Sequence, residues 1–471
     1  MDVRGKRVLV VGLGKSGIAS AMFLQARGAK VTVSDAKSEA QLPQEIPLLL
    51  DRGITVETGH HGERTFRDQD LIVISPGVPV DQPQLEQARK LGIPVIGEIE
   101  LAALFVPAHV VAITGSNGKT TTTSLCGEIL QAGEHKTLVG GNIGTPAISF
   151  AEEADANTWC VLEISSFQLE TIQSFRPQIA AILNITPDHL DRHHTFEKYA
   201  AAKERIFENQ KPTDFAVLNA DNEPCVEIGK RVKSRVLWFS RLHEVERGAF
   251  VRNGKVIFRV GNSAADEELS IFKTAMTDDV NRDEREIMPL SDMLLKGAHN
   301  VENVLAAVCV GVAAGVAPEQ IRTVVSQFKA VEHRLEYTAK VDGVEYYNDS
   351  KATNVDATIK ALESFSKGIH LILGGKDKGS PYTVLNDLLQ DRVKAVYTIG
   401  AAATKIEAEV KGPEVIHAET LENAVKLASQ KAISGDIVLL APACASFDQF
   451  QSYEHRGRVF KELVRKMQES K

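Results

Sequence analysis

Residues 110–123 read VVAITGSNGKTTTT. Val110, Val111, Ala112 and Ile113 form a short apolar run, rich in β-branched residues, that reads as a buried parallel strand. Thr114, Gly115, Ser116, Asn117 and Gly118 make a small-residue turn. Lys119, Thr120, Thr121 and two further threonines then lead into Leu125, Ile129 and Leu130 at helical spacing. Strand, glycine turn, Lys-Thr and helix describe a phosphate cradle. Backbone N–H groups and the positive helix end meet the anion, the lysine reaches the outer phosphates, and a hydroxyl can hold Mg²⁺. One position departs from the full pattern: a glycine is wanted five residues before Gly118, and Ile113 stands there.

Working outward, the 471 residues suggest roughly two to four domains at about 150 residues each. The composition is that of an ordinary soluble protein, and a net charge of −8 argues against a general nucleic-acid binder. Cys126, Cys160, Cys225, Cys309 and Cys444 are scattered and odd in number, with no CxxC spacing. That pattern suits free thiols in a reducing compartment and offers no zinc site. The apolar run at 8–11 is too short for a secretion signal, and no stretch approaches the ~18 apolar residues of a membrane span. A soluble, cytoplasmic protein without a membrane or nucleic-acid partner is expected.

Upstream, residues 7–11 read as a strand that GLGKSG (12–17) turns into a helix reaching about Ala26; a second strand ends at Asp35. This satisfies the dinucleotide fingerprint, with an acidic residue about 20 positions on. NAD or another diphosphate-linked ligand would fit. Residues 71–74 form a strand leading to Ser75-Pro-Gly77-Val78 at the sheet's carboxyl edge, and residues 91–107 suggest a domain boundary.

Downstream, strands end at Glu163 and near 183, the first followed by the polar turn ISSFQLE and the second by NITPDHLDRH. Glu163 and His189 are therefore metal-capable groups placed beyond strand ends on the phosphate-loop side, where oxygen ligands of a magnesium–phosphate complex are expected. A helix spans 196–209 and carries Lys203, by default a surface lysine. Periodicity weakens over 240–290, where short pieces such as 255–260 suggest hairpins. Asn300 and Asn303 share a helix face. A second boundary falls at 331–334. Beyond it, strands run into DSKATN (349–354), GGKDKG and APACASFDQF.

TGSNGKTT, GGNIG, LEISSFQLE, NITPDHLDRH, YAAAKERIF, HNVEN, EHR, DSKATN, GGKDKG and PACASFDQF occur in the order found in the Mur ligases, and the chain resembles that family over nearly its whole length. ISSFQLE with DSKATN resembles the D-glutamate-adding members. The fold implied is α/β in three domains: an N-terminal Rossmann-like domain (1–98) binding UDP, a central P-loop ATPase-like, mostly parallel sheet (99–330) binding ATP, and a C-terminal Rossmann-like domain (331–471) binding the amino acid. The substrates implied are UDP-N-acetylmuramoyl-L-alanine and D-glutamate, with ATP and Mg²⁺, and a monomer is expected.

The resemblance also implies roles. Gly14, Lys15, Ser16, Asp35, Lys37, Ser75, Gly77 and Asn142 would meet the UDP-sugar, although Ala36-Lys37 departs from the Thr-Arg often found there. Gly115 to Thr121, Asn300, Asn303, Arg334 and Asp349 would contact ATP. Thr120, Glu163, His189 and Lys203, carbamylated in this family, would hold the metal. Lys119, His189 and Lys203 would be catalytic. Lys351, Thr353, Lys378, Ser446, Phe447 and Tyr453 would surround D-glutamate, Tyr453 replacing a more usual Phe. A different amino-acid-adding ligase is the nearest alternative. A nucleotide-driven regulatory ATPase would not need the third domain's Lys, Ser and Thr loops, and an NAD oxidoreductase leaves the GKT loop without a use.

Overall fold

Short apolar runs bounded by glycine turns and alternating with amphipathic helices can satisfy their backbones as parallel strands covered on both faces. The computed structural model, which describes residues 1–38, 46–261, 283–295, 297–329 and 332–469, sorts them into three sheets, one for each α/β domain.

The first sheet contains β1 (Arg7–Val11), β2 (Lys30–Asp35), β3 (Thr55–Thr58), β4 (Leu71–Ile74) and β5 (Val95–Gly97) in the parallel order β3-β2-β1-β4-β5. Strand order reverses between β1 and β4, which opens a crevice at their carboxyl ends. Gly17 lets the following helix pack close: a Cβ there would lie 1.8 Å from the Gly12 carbonyl oxygen.

The second sheet contains β6 (His109–Thr114), β7 (Thr137–Gly141), β8 (Trp159–Glu163), β9 (Ile179–Ile182), β10 (Phe215–Asn219), β11 (Arg235–Ser240), β12 (Gly248–Arg252), β13 (Lys255–Arg259) and β14 (Glu284–Pro289). Their order is β14-β13-β12-β11-β10-β9-β6-β8-β7. Among the described strands, β13 pairs antiparallel with β12 and with β14, and the other pairings are parallel. Strands β13 and β14 are the expected hairpin decoration; the rest of that expectation, at 262–282, lies outside the described residues. Ile113 sits inside β6, fully buried, and pairs in register with Glu163 and Ala181. The position where a glycine was sought is therefore sheet core, and the turn begins at Gly115, whose φ is +152°.

The third sheet contains β15 (Glu336–Val341), β16 (Val344–Asn348), β17 (Ile369–Gly374), β18 (Val393–Ile399), β19 (Glu414–Glu419) and β20 (Ile437–Leu440), ordered β15-β16-β20-β17-β18-β19. Alternation along its strands splits the core between two faces. Leu371, Leu373 and Leu439 pack on one, and Ile372, Val438 and Leu440 on the other.

Two compact units result. One comprises Met1–Ile185, Ala200–Pro289 and Val304–Val325 and holds the first two sheets; the other comprises Thr186–Tyr199, Leu290–Asn303 and Ser326–Lys471 and holds the third. The boundary expected between 330 and 331 falls on residues outside the described set. No described helix is long and apolar enough to cross a membrane.

Two local expectations are corrected. ISSFQLE is not a plain turn but the short helix Ser166–Leu169, started by a capping box between Ser165 and Gln168. The helix from Phe196 ends at Glu204 and tightens into a 3₁₀ turn at Arg205–Phe207 rather than running to Asn209. There Arg205 donates to the carbonyls of Leu169, Glu170 and Ile172 and ties the turn to the first unit.

Candidate active site

In the first unit, two helix N-termini lack a side-chain cap. Helix Lys15–Ala26 starts from extended Gly14, and helix Lys119–Ala132 from Gly118 at φ 85°. Their first N–H groups lack intrahelical partners and suit anions. A cleft of ≈ 400 Å³ beside the first is lined by Gly14, Lys15, Ser16, Asp35, Lys37, Ser75 and Gly77, seven of the eight residues expected at the UDP-sugar, while Asn142 bonds to Glu163 instead. Space beside Gly14 is open, whereas Ser75 Oγ donates to the Gly12 carbonyl at 2.8 Å and closes the turn. Asp35 is already engaged. Its Oδ2 accepts from Leu13 N at 2.8 Å and its Oδ1 from Lys37 N at 2.9 Å, so it shapes the glycine loop. His61, whose Nδ1 meets Ser34 Oγ at 2.8 Å, also lines the cleft and escaped the sequence reading.

The phosphate loop is held from below. Lys119 Nζ donates to the carbonyls of Gly115 and Ser116 at 2.8 and 2.9 Å. Asn184, two residues past the end of β9, accepts from Asn117 N through Oδ1 at 2.8 Å, and its carbonyl accepts from Ser116 N. Glu163 is 2% exposed; Thr120 Oγ1 donates to its Oε2 at 2.7 Å and Asn142 Nδ2 to its Oε1 at 3.0 Å. Lys203 corrects the surface default: it is 1% exposed and donates to the Gly115 carbonyl at 2.9 Å and to Thr114 Oγ1 at 3.3 Å.

The donor chemistry around Glu163, a buried carboxylate beside a hydroxyl, fits a hard divalent cation.

The second unit gathers the remaining expected residues. His189 takes a left-handed backbone, φ 53°, with its N–H donated to Asp188 Oδ1 at 2.9 Å. Asn303 Nδ2 donates to Asn300 Oδ1 at 3.0 Å, which confirms the shared helix face. Arg334 lies between two non-glycine residues at positive φ, His333 (65°) and Leu335 (42°), a costly backbone that surrounding structure must hold. Burial pushes the Asp349 carboxyl up to about 6, against the pull of the Arg334 and Lys351 charges. Burial, reinforced by Arg334 and Lys360, brings His299 down to about 3, so its ring stays neutral.

DSKATN runs into helix Val355–Glu363, capped by the Asn354 side chain accepting from Ala357 N at 2.8 Å. Lys351 Nζ stands 5.2 Å over the Tyr453 ring, Ser446 is buried, and Phe447 is 68% exposed. Beneath these loops lies Arg456, fully buried and missed from sequence. It donates to Ser350 Oγ and carbonyl at 3.0 and 2.8 Å and to the Cys444 carbonyl at 3.2 Å, and burial lowers it to about 10. It shares a helix face with the fully buried Phe460 and Val464, four and eight residues on, and that spacing is the signal that could have found it.

Among the described residues, Glu332, His333 and Glu336 also meet at ligand distance, but Lys461 Nζ already bridges the two carboxylates at 2.8 and 2.5 Å.

Three families match the chain in sequence: the Mur ligase MurD-like N-terminal domain over residues 6–97, the Mur ligase middle domain over 113–311, and the Mur ligase glutamate ligase domain over 333–444. The chain belongs to the Mur ligase family. This Mur ligase is 82% identical over 469 residues to a UDP-N-acetylmuramoylalanine–D-glutamate ligase of Koribacter versatilis, spanning 100% of this chain and 99% of the relative. It is 57% identical to a protein of the same name from Acidobacterium capsulatum, over 98% and 97% of the two chains. A solved UDP-N-acetylmuramate-alanine ligase from Thermotoga maritima shares the fold at 20% identity and a TM-score of 0.58, covering 99% of this Mur ligase and 100% of that chain.

Proposed function

We propose that this Mur ligase adds D-glutamate to UDP-N-acetylmuramoyl-L-alanine, using ATP and passing through an acyl phosphate, in the cytoplasmic assembly of peptidoglycan precursors. The observation that carries the reading is Glu163, one buried carboxylate tying the phosphate-loop hydroxyl of Thr120 to Asn142 of GGNIG. It couples the place where ATP would lie to the loop that would touch the muramoyl group. The 82% identical relative bears the name of this activity, which supports the choice of amino acid.

A carboxylate and an amine do not condense unaided in water, so the alanyl carboxylate must first be activated. Lys119, drawn onto the loop by the Gly115 and Ser116 carbonyls, would turn to the outer phosphates and offset charge on the transferring group. Thr120, Glu163, His189 and a carbamylated Lys203 would hold Mg²⁺, which supplies charge neutralisation between phosphates. Asn300, Asn303, Arg334 and Asp349 would bind the rest of ATP. Lys351, Thr353, Lys378, Ser446, Phe447 and Tyr453 would orient D-glutamate so that its amine attacks the acyl phosphate and phosphate leaves. Residues 1–98, 99–330 and 331–471 would each supply one substrate, and the work is largely proximity.

Phosphate release from ATP should require both UDP-N-acetylmuramoyl-L-alanine and D-glutamate. Release without either, or equal use of L-glutamate, overturns the assignment.

A further inference from the structure

His61 lines the cleft beside Gly14, and no ligand contact has been given to it above. Its turn is latched to the end of β2: Gly59 N donates to the carbonyls of Asp35 and Lys37 at 3.0 and 2.9 Å. The imidazole is then held on two sides. Nδ1 meets Ser34 Oγ at 2.8 Å, and the ring stands edge-on to Phe66 with centroids 5.6 Å apart. Nε2 has no hydrogen-bond partner among the described residues.

We infer that His61 donates from Nε2 to the O4 carbonyl of the pyrimidine ring of the UDP-sugar, and so selects uracil over cytosine. The inference rests on the function proposed above and adds to it a residue that chooses the base.

Ser34 fixes the proton. It is fully buried, and His61 Nδ1 is the one hydrogen-bond partner of its Oγ among the described residues. A buried polar group left without a partner costs about 1–3 kcal/mol. If Nδ1–H donated to Oγ, the serine proton would be stranded in that way. The hydroxyl therefore donates, Nδ1 accepts, and the ring proton sits on Nε2. The cleft is offered a donor. Uracil presents the O4 acceptor to it, whereas cytosine presents the N4 amino group. An amino group there sets donor against donor, and both lose water without gaining a partner. The neighbouring side chains leave this contact to His61. Both Asp35 oxygens already accept backbone N–H groups, Ser75 Oγ is bonded to the Gly12 carbonyl, and Ala36 carries no hydroxyl.

The test is calorimetric titration of the full-length chain with UDP and with CDP, a non-hydrolysable ATP analogue filling the other nucleotide site. UDP should bind about ten- to a hundred-fold more tightly. His61→Phe keeps a ring against Phe66 and removes the donor, so the ratio should fall close to one through weaker UDP binding. Ser34→Ala frees the imidazole to carry its proton on Nδ1 and present Nε2 as an acceptor, so the ratio should fall through tighter CDP binding. A side chain that merely shapes the cleft would weaken both nucleotides alike. Equal binding of the two by the unaltered protein, or an unchanged ratio in either variant, overturns the proposal. Should His61→Phe fail to fold, Ser34→Ala decides. Phosphate release that ignores D-glutamate would instead refute the proposed function, and the UDP-to-CDP ratio, which needs no turnover, judges His61 separately.

Discussion

Thr120 and Glu163, 43 residues apart in the chain, meet in a 2.7 Å hydrogen bond in which the threonine hydroxyl donates to the carboxylate. Neighbouring strands make this possible: β6 and β8 run parallel, with Ile113 opposite Glu163 in register. Glu163 thus projects beside the first turn of the phosphate-loop helix. Replacing it by Gln keeps size and hydrogen bonding but removes the charge a divalent cation needs. Glu163→Gln should lower ATP-dependent phosphate release about 100- to 1,000-fold, with a shifted Mg²⁺ requirement. Activity with an unchanged Mg²⁺ titration would remove Glu163 from the metal site.

Lys203 is a second long-range partner of the same loop, 88 residues from the Gly115 carbonyl it contacts. Lys203→Ala should cost roughly 100-fold or more in activity, while circular dichroism and nucleotide-free unfolding remain near those of the unaltered protein. If the lysine works as a carbamate, bicarbonate cannot repair the variant, whereas formate or acetate, which supply a carboxylate, restore part of the rate. Unchanged activity in the variant excludes Lys203 from the site.

These two residues also show what sequence can and cannot reveal. Glycine turns after β-branched runs announced the sheets because strand burial and φ freedom act locally, as at 110–118. Asn300 and Asn303 were legible because helix geometry fixes their shared face. The capping box at Ser165 and Gln168 had a readable signature, and the polar composition of ISSFQLE obscured it. Lys203 and Asp188 were different. Each owes its surroundings to segments far away in the chain, and no local period separates a buried lysine following three alanines from a solvated one. Burial of polar groups is a tertiary fact.

Ile113→Gly would restore the glycine of the longer phosphate-loop pattern, and it should make the protein worse. Ile113 is fully buried in β6 between β8 and β9. Removing its side chain leaves a cavity and loosens a central strand, a loss of about 3–5 kcal/mol. Chemical denaturation should show that loss, and KM for ATP should not improve, because the turn begins at Gly115. A gain in ATP affinity would mean that the shorter loop is not the functional one.

Glu98 offers a test by pH. It opens helix Glu98–Phe105 in the first unit, is 1% exposed, and accepts the Ile148 N–H at 2.8 Å through Oε1, while Oε2 finds no partner among the described residues. Burial raises its pKa from 4.5 to about 7, opposed by the backbone donors Ile148 and Ala147. The folded protein therefore holds a proton that the unfolded chain has already lost between those two values, so Glu98 lowers stability progressively as pH rises from 4.5 to about 7. Above that the penalty is constant, on the order of 3 kcal/mol. Glu98→Gln keeps the acceptor for Ile148 and cannot ionise. Its unfolding free energy should match the unaltered protein near pH 4.5 and exceed it by that margin at pH 8. Parallel stability curves across this window would show that Glu98 ionises in the folded state as readily as in water.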